Sequence, residues 1–181
     1  KNTREAQEST AQTAQKIAAQ ADEEHEQVRN RRLKWKELQA RDQDPFLVTT
    51  YDVTHKAQTI HDDFEALEGT TVRIAGRIMS RRGMGKDSFC DRPYSSARIQ
   101  TFTKIDALGE EAYADWQNLD LGDFVGVEGE VMRTQRGEVS IRTMNFSLLA
   151  KCLRPLPEKY HGLQDTDLRY RQRYLDLMTN P

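Results

Sequence analysis

The sequence predicts a mainly β fold with flanking helices, centred on one small closed barrel. Two observations predict it. Five short strand-like stretches follow one another between 71 and 151, with a single helix-spaced stretch after the third. Glycines also stand inside these strands, at Gly76, Gly126 and Gly129, where a small barrel must bend sharply.

The elements follow in order. TVRIAGRIMSRR (71–82) places Val72, Ile74 and Ile78 on one parity and Arg73 and Arg77 on the other, as a half-buried strand does. Gly83 to Lys86 reads as a turn and SFCDR (88–92) as a short second strand. Pro93 to Ser96 is a turn, and ARIQTFTK (97–104) is a third strand. Leu108, Ala112, Trp116 and Leu119 step by threes and fours, giving a helix that breaks at Asp120 to Gly122. DFVGVEGEVMRT (123–134) is a fourth strand, with Val125, Val127 and Val131 on one parity. Gln135 to Gly137 is a hairpin turn, and EVSIRTMNFSLLAK (138–151) is the fifth strand. The order β-β-β-α-β-β is that of a five-stranded OB-fold barrel. Another small β-barrel or an α+β sheet would share parts of the pattern.

Residues 1–21 read as a low-complexity extension, rich in Ala, Gln and Thr, with little to bury. Residues 22–68 form a helical region. Its first helix runs from Asp22 to about Arg41, acidic at its start and basic toward its end, as the helix dipole favours. Its mostly polar face implies docking on another surface or on RNA. Asp44-Pro45 stops it, and Thr54 is placed to cap a second helix over 55–67. The barrel occupies 69–151, and 152–181 is a Pro-containing connector followed by a helix from Asp165 to Met178. That last segment cannot build a core alone, so a larger domain is expected to follow.

The formal net charge is −2, so nucleic-acid binding would have to come from a local arrangement of arginines. Cys90 and Cys152 are far apart and outside any CxxC pattern, so they supply no zinc site and read as reduced thiols. No apolar run reaches the length of a membrane span, no secretory signal is visible, and a cytoplasmic location is expected.

A search for catalytic constellations finds neither a GxxxxGK phosphate loop nor a GxSxG elbow. Binding is better supported. An OB-fold holds single-stranded nucleic acid around its second and third strands, with a basic groove for phosphates and aromatic rings for bases. Arg77, Arg81 and Arg82 end the first strand, and Lys86 lies in the turn. Phe89 belongs to the second strand, Arg98, Gln100 and Phe102 to the third, and Arg142 to the fifth. Arginine can pair a phosphate or lie on a base plane. Gln100 can donate and accept at once, which suits a base edge. Each has a plainer reading. Phe89 could be core, Arg81 and Arg82 solvated strand-end charges, and Gln100 and Glu138 ordinary polar surface.

Three stretches carry a family resemblance. AGRIMSRRGMGKDSF (75–89) resembles the start of the anticodon-binding domain of bacterial class II lysyl-tRNA synthetases. LDLGDFVGVEGEVMRTQRGEVSI (119–141) is similar to its later strands. LRPLPEKYHGLQDTDLRYRQRYLDL (153–177) is similar to the connector into the catalytic domain. Aspartyl and asparaginyl enzymes share the barrel, but the connector wording fits the lysyl family best.

The resemblance implies that Arg82 contacts the anticodon and Phe89 stacks on its central uridine. It implies that Gln100 hydrogen-bonds that base and Glu138 helps read a neighbour. Arg81, Lys86 and Arg98 complete the expected nucleic-acid site. The implied ligand is the anticodon loop of lysine tRNA, and the implied parent is a homodimeric ligase using ATP and magnesium. Its catalytic motifs would lie beyond Pro181, so this part alone is expected to need no cofactor and to catalyse nothing; no membrane or DNA partner is expected. One hairpin departs from the family. The usual FxxLQDxxGRIQ reads FCDRPYSSARIQ here, with Arg92, Pro93, Tyr94 and Ala97 at altered positions.

Overall fold

A computed structural model describes residues 25–81, 98–155, 166–174 and 176. The expected extension at 1–21, the strand at 88–92, the atypical hairpin and the connector beyond 155 lie outside the described residues.

Four strands form one curled sheet: β1 (Thr71–Arg77), β2 (Gln100–Phe102), β3 (Phe124–Arg133) and β4 (Val139–Ala150). They correspond to the expected first, third, fourth and fifth strands. Their order is β1-β3-β4-β2. β3 pairs antiparallel with both β1 and β4, whereas β2 pairs parallel with β4. That parallel pairing carries the chain from the third strand to the far edge of the sheet, the long-range step of the Greek key.

Helix α1 covers residues 25–40. The 55–67 stretch forms two short helices, α2 (Ala57–Asp62) and α3 (Phe64–Leu67), divided at Asp63. Thr54 does not cap α2. Its hydroxyl accepts from the Arg73 backbone N–H at 2.8 Å and donates to the Arg73 carbonyl at 3.3 Å. The edge of β1 thus takes the hydroxyl that sequence assigned to the helix, and α2 starts at Ala57 without a side-chain cap. Between β2 and β3 lie α4 (Ile105–Leu108) and α5 (Glu110–Asn118), divided at Gly109, whose φ of 82° is left-handed. A short α6 (Thr166–Arg171) lies in the C-terminal part.

The alternation in sequence is met in the core. Val72 and Ile74 of β1 pack with Val125, Val127 and Val131 of β3 and Ile141 of β4. Trp116 and Leu119 close the core from the α5 side, and Ala57, Ile60 and Phe64 close it from α2 and α3. The α2–α3 pair therefore shares the barrel's core. Trp116 meets Phe146 edge-on at 5.0 Å.

Two strand glycines have distinct reasons. A Cβ at Gly129 would lie 2.1 Å from the Arg142 carbonyl oxygen, where the β3–β4 register shifts. Only a residue without a side chain lets the two backbones approach so closely at this irregularity. A Cβ at Gly126 would instead lie 2.4 Å from the ring of Tyr51, which covers the outside of β3.

Helix α1 is held by charge rather than by an apolar stripe. Arg31 Nη1 donates to the Leu121 and Cys152 carbonyls, both at 2.9 Å. Lys34 Nζ donates to the Asn118 carbonyl at 3.0 Å and to Asp120 Oδ1 at 2.7 Å. Of the two expected partners for this polar face, another surface or RNA, the structure supplies a surface: the chain's own 118–121 segment and Cys152. Asp44 ends the helix region: it accepts from Trp35 Nε1 and Gln39 Nε2 and from the Phe46 backbone N–H. Those bonds favour the ionised form and hold its carboxyl below the usual value.

Candidate nucleic-acid interface

Parallel pairing of β2 with β4 assembles the candidate site. Gln100 registers with Ser140, Thr101 with Ile141 and Phe102 with Arg142. Side chains alternate across a strand, so register partners share a face. Thr101 and Ile141 point into the core and are fully buried. Gln100, Phe102, Ser140 and Arg142 therefore lie on the opposite, outer face.

On that face the Gln100 head group is held at both ends. Its Nε2 donates to Glu138 Oε2 at 2.9 Å, and its Oε1 accepts from the Ser140 hydroxyl at 2.7 Å. Ser140 is fully buried beneath this contact, while Glu138 is exposed. The β3–β4 turn sets the position of Glu138: Gly137 takes φ 84°, and Glu138 N–H donates to Thr134 Oγ1 at 3.1 Å. Beside Gln100, Phe102 is partly exposed and the Lys104 ammonium stands 5.0 Å from its ring centroid. Arg142 pairs with Glu130 at 3.5 Å across the strand, an exposed pair of small energetic weight. The strip offers an amide, a ring and cations within a few strand positions, the surface chemistry that single-stranded bases and phosphates require.

Other expected residues go elsewhere. Arg81 Nη1 donates to the Gln117 and Leu119 carbonyls, both at 2.8 Å, and its Nη2 to the Trp116 carbonyl. This is the basic group that the unsatisfied carbonyls of a helix C-terminus attract. Arg77 Nη1 donates to the Gly122 carbonyl at 2.8 Å, and its guanidinium lies 4.2 Å from the Phe124 ring centroid. Arg98 is exposed beside β2, and its carbonyl lies 2.8 Å from His61 Nε2. Arg82, Lys86 and Phe89 lie outside the described residues. Ser140 and Lys104 were not singled out in the sequence. Nothing local marks Ser140, whose place depends on the long-range β2–β4 register, whereas Lys104 shares the strand parity of Gln100 and Phe102 and is legible from alternation.

Residues 72–149 match the family of the OB-fold nucleic acid binding domain. The curled four-stranded sheet with its helices is thus of the OB-fold class. The chain is 51% identical, over 86% of its length, to a lysine–tRNA ligase of Clostridium perfringens, of which the match covers 31%. It is 48% identical, over 84% of its length, to that of Clostridium tetani, with 30% of that protein covered. A Clostridium botulinum lysine–tRNA ligase is 47% identical over 86% of the chain and is covered to 31%. The chain thus spans about a third of the length of these relatives. The 156 matched residues take in the OB-fold region, so this chain is similar to a part of these lysine–tRNA ligases that contains such a domain. No helix among the described residues is long and apolar enough to cross a membrane.

Proposed function

We propose that this chain binds the anticodon loop of lysine tRNA. The supporting observation is the shared outer face on which Gln100, held by Glu138 and Ser140, stands beside Phe102 and Arg142. In this reading Gln100 meets the edge of the central anticodon base, and Phe89 stacks on its face. Arg82, Lys86 and Arg98 meet phosphates, and Glu138 borders the neighbouring base. Arg81 contributes through the α5 end that it caps. The division into an extension (1–21), a helical region (22–68), the barrel (69–151) and a connector (152–181) belongs to the same reading.

The full-length protein is proposed to charge lysine tRNA in the cytoplasm as a homodimeric ligase. ATP and magnesium belong to that proposal. Among the described residues no group of three or more His, Cys, Asp or Glu side chains is placed to hold a metal ion. The ATP and magnesium sites are proposed to lie in the part of the full-length enzyme that this chain does not span.

Fluorescence titration of an RNA hairpin with a UUU anticodon against one with UCU tests the reading. Tighter, salt-sensitive binding of UUU is expected. Equal affinity for the two hairpins would overturn base reading. Phe89→Ala should weaken the UUU hairpin by about 1–3 kcal/mol; unchanged affinity would remove Phe89 from the site.

A further inference from the structure

We infer that Glu138 acts on base recognition through Gln100, by fixing which end of its amide donates and which accepts. The inference rests on the proposed anticodon reading and deepens it. A glutamine head group can flip, exchanging its carbonyl oxygen for its amino group with almost no change in shape. A reader that flips freely presents either polarity and cannot separate a base carbonyl from a base amine.

The neighbours of Gln100 remove that freedom. The group facing Nε2 is the Glu138 carboxylate, 2.9 Å away. An ionised carboxylate only accepts, so the amino end must face it. The other end then faces Ser140 Oγ at 2.7 Å, and the serine hydroxyl must donate. Serine alone could not set the order, because a hydroxyl donates or accepts as its neighbour requires. Glu138 sets the polarity, and Ser140 satisfies the carbonyl end beneath it. One amide N–H and one carbonyl lone pair remain for a ligand, in a fixed order. A pyrimidine carbonyl and a pyrimidine amine at the same place then meet this order differently, which separates U from C.

Glu138 is thus a positioning residue, and its isosteric variant is the test. In Glu138→Gln the new amide offers both donors and an acceptor, so Gln100 flips with little loss. Hairpins differing only in U or C at the central anticodon position are titrated with wild type, Glu138→Gln, Gln100→Ala and the double variant. Removing a negative charge strengthens RNA binding in general, so the readout is the U:C affinity ratio. The ratio is expected to fall by at least about fivefold in Glu138→Gln, the weight of one hydrogen bond. In the Gln100→Ala background the same substitution is expected to leave the ratio unchanged, as acting through one residue demands. A wild-type ratio retained by Glu138→Gln would overturn the inference and leave anticodon binding standing. So would a further change in the ratio when Glu138→Gln is added to Gln100→Ala. A wild-type protein that does not separate the two hairpins would overturn both. Glu138 is exposed at a turn, and an unchanged melting temperature verifies that each variant is folded.

Discussion

Lys151 Nζ lies 2.6 Å from Asp123 Oδ2, with both side chains removed from solvent. The same ammonium reaches Asp120 Oδ2 at 2.5 Å, and Asp123 Oδ1 accepts from the Cys152 N–H at 2.8 Å. The charges at this barrel end are paired and their remaining bonds satisfied. Removing one partner leaves the other buried and uncompensated. Lys151→Met is expected to cost about 3–5 kcal/mol, read as a lower urea midpoint. Pairing it with Asp123→Leu should recover part of the loss, because a shape-filling apolar pair replaces an ion pair at little cost.

Asp120 links this buried group to α1. Burial raises its pKa, but hydrogen bonds and charge from Lys151 and Lys34 outweigh burial and hold the carboxyl below its ordinary value. A lowered folded value stabilises the protein at every pH above the ordinary carboxylate range. That contribution disappears as pH falls through the ordinary value toward the lowered one. Acid unfolding of Asp120→Asn should therefore show a shallower loss of stability across that interval than wild type. Equal slopes in pH-dependent urea titrations would remove Asp120 from the linkage.

The alternation of Val72, Ile74, Val125, Val127 and Val131 was legible because one buried face imposes a period of two on a strand. The helix at Trp116 and Leu119 was legible from its own spacing. Contacts set by residues distant in sequence were not. Thr54 read as a cap because only its local neighbours were visible, and β1 claims it from nineteen positions away. Gln100 and Glu138 entered as separate candidates. Their contact exists only because β2 and β4 pair in parallel, which no local pattern encodes. Arg81 reads from sequence as a nucleic-acid contact or a solvated strand-end charge, and its bonds to the α5 carbonyls are not legible there because those carbonyls are over thirty residues distant.

Arg81 separates stability from binding. Its guanidinium holds the Trp116, Gln117 and Leu119 carbonyls, and Trp116 is a core residue. Arg81→Ala should destabilise the fold by about 1–3 kcal/mol and increase amide hydrogen exchange at the end of α5. Measured where the variant is fully folded, its RNA affinity should fall equally for UUU and UCU hairpins. A loss confined to UUU would place Arg81 at the base instead.

The two strand glycines should respond differently to alanine. At Gly129 the obstacle is the Arg142 carbonyl, part of a paired strand with no free rotation. Gly129→Ala must push β3 and β4 apart at their register shift, an overpacking loss of about 3 kcal/mol. At Gly126 the obstacle is the Tyr51 ring, which turns on its own side-chain bonds. Gly126→Ala should cost about 1 kcal/mol, and Tyr51→Ala in the same chain should remove the clash, making the pair less than additive. Double-mutant denaturation cycles check both. Additive losses at Gly126 and Tyr51 would show that the ring is not what the glycine accommodates.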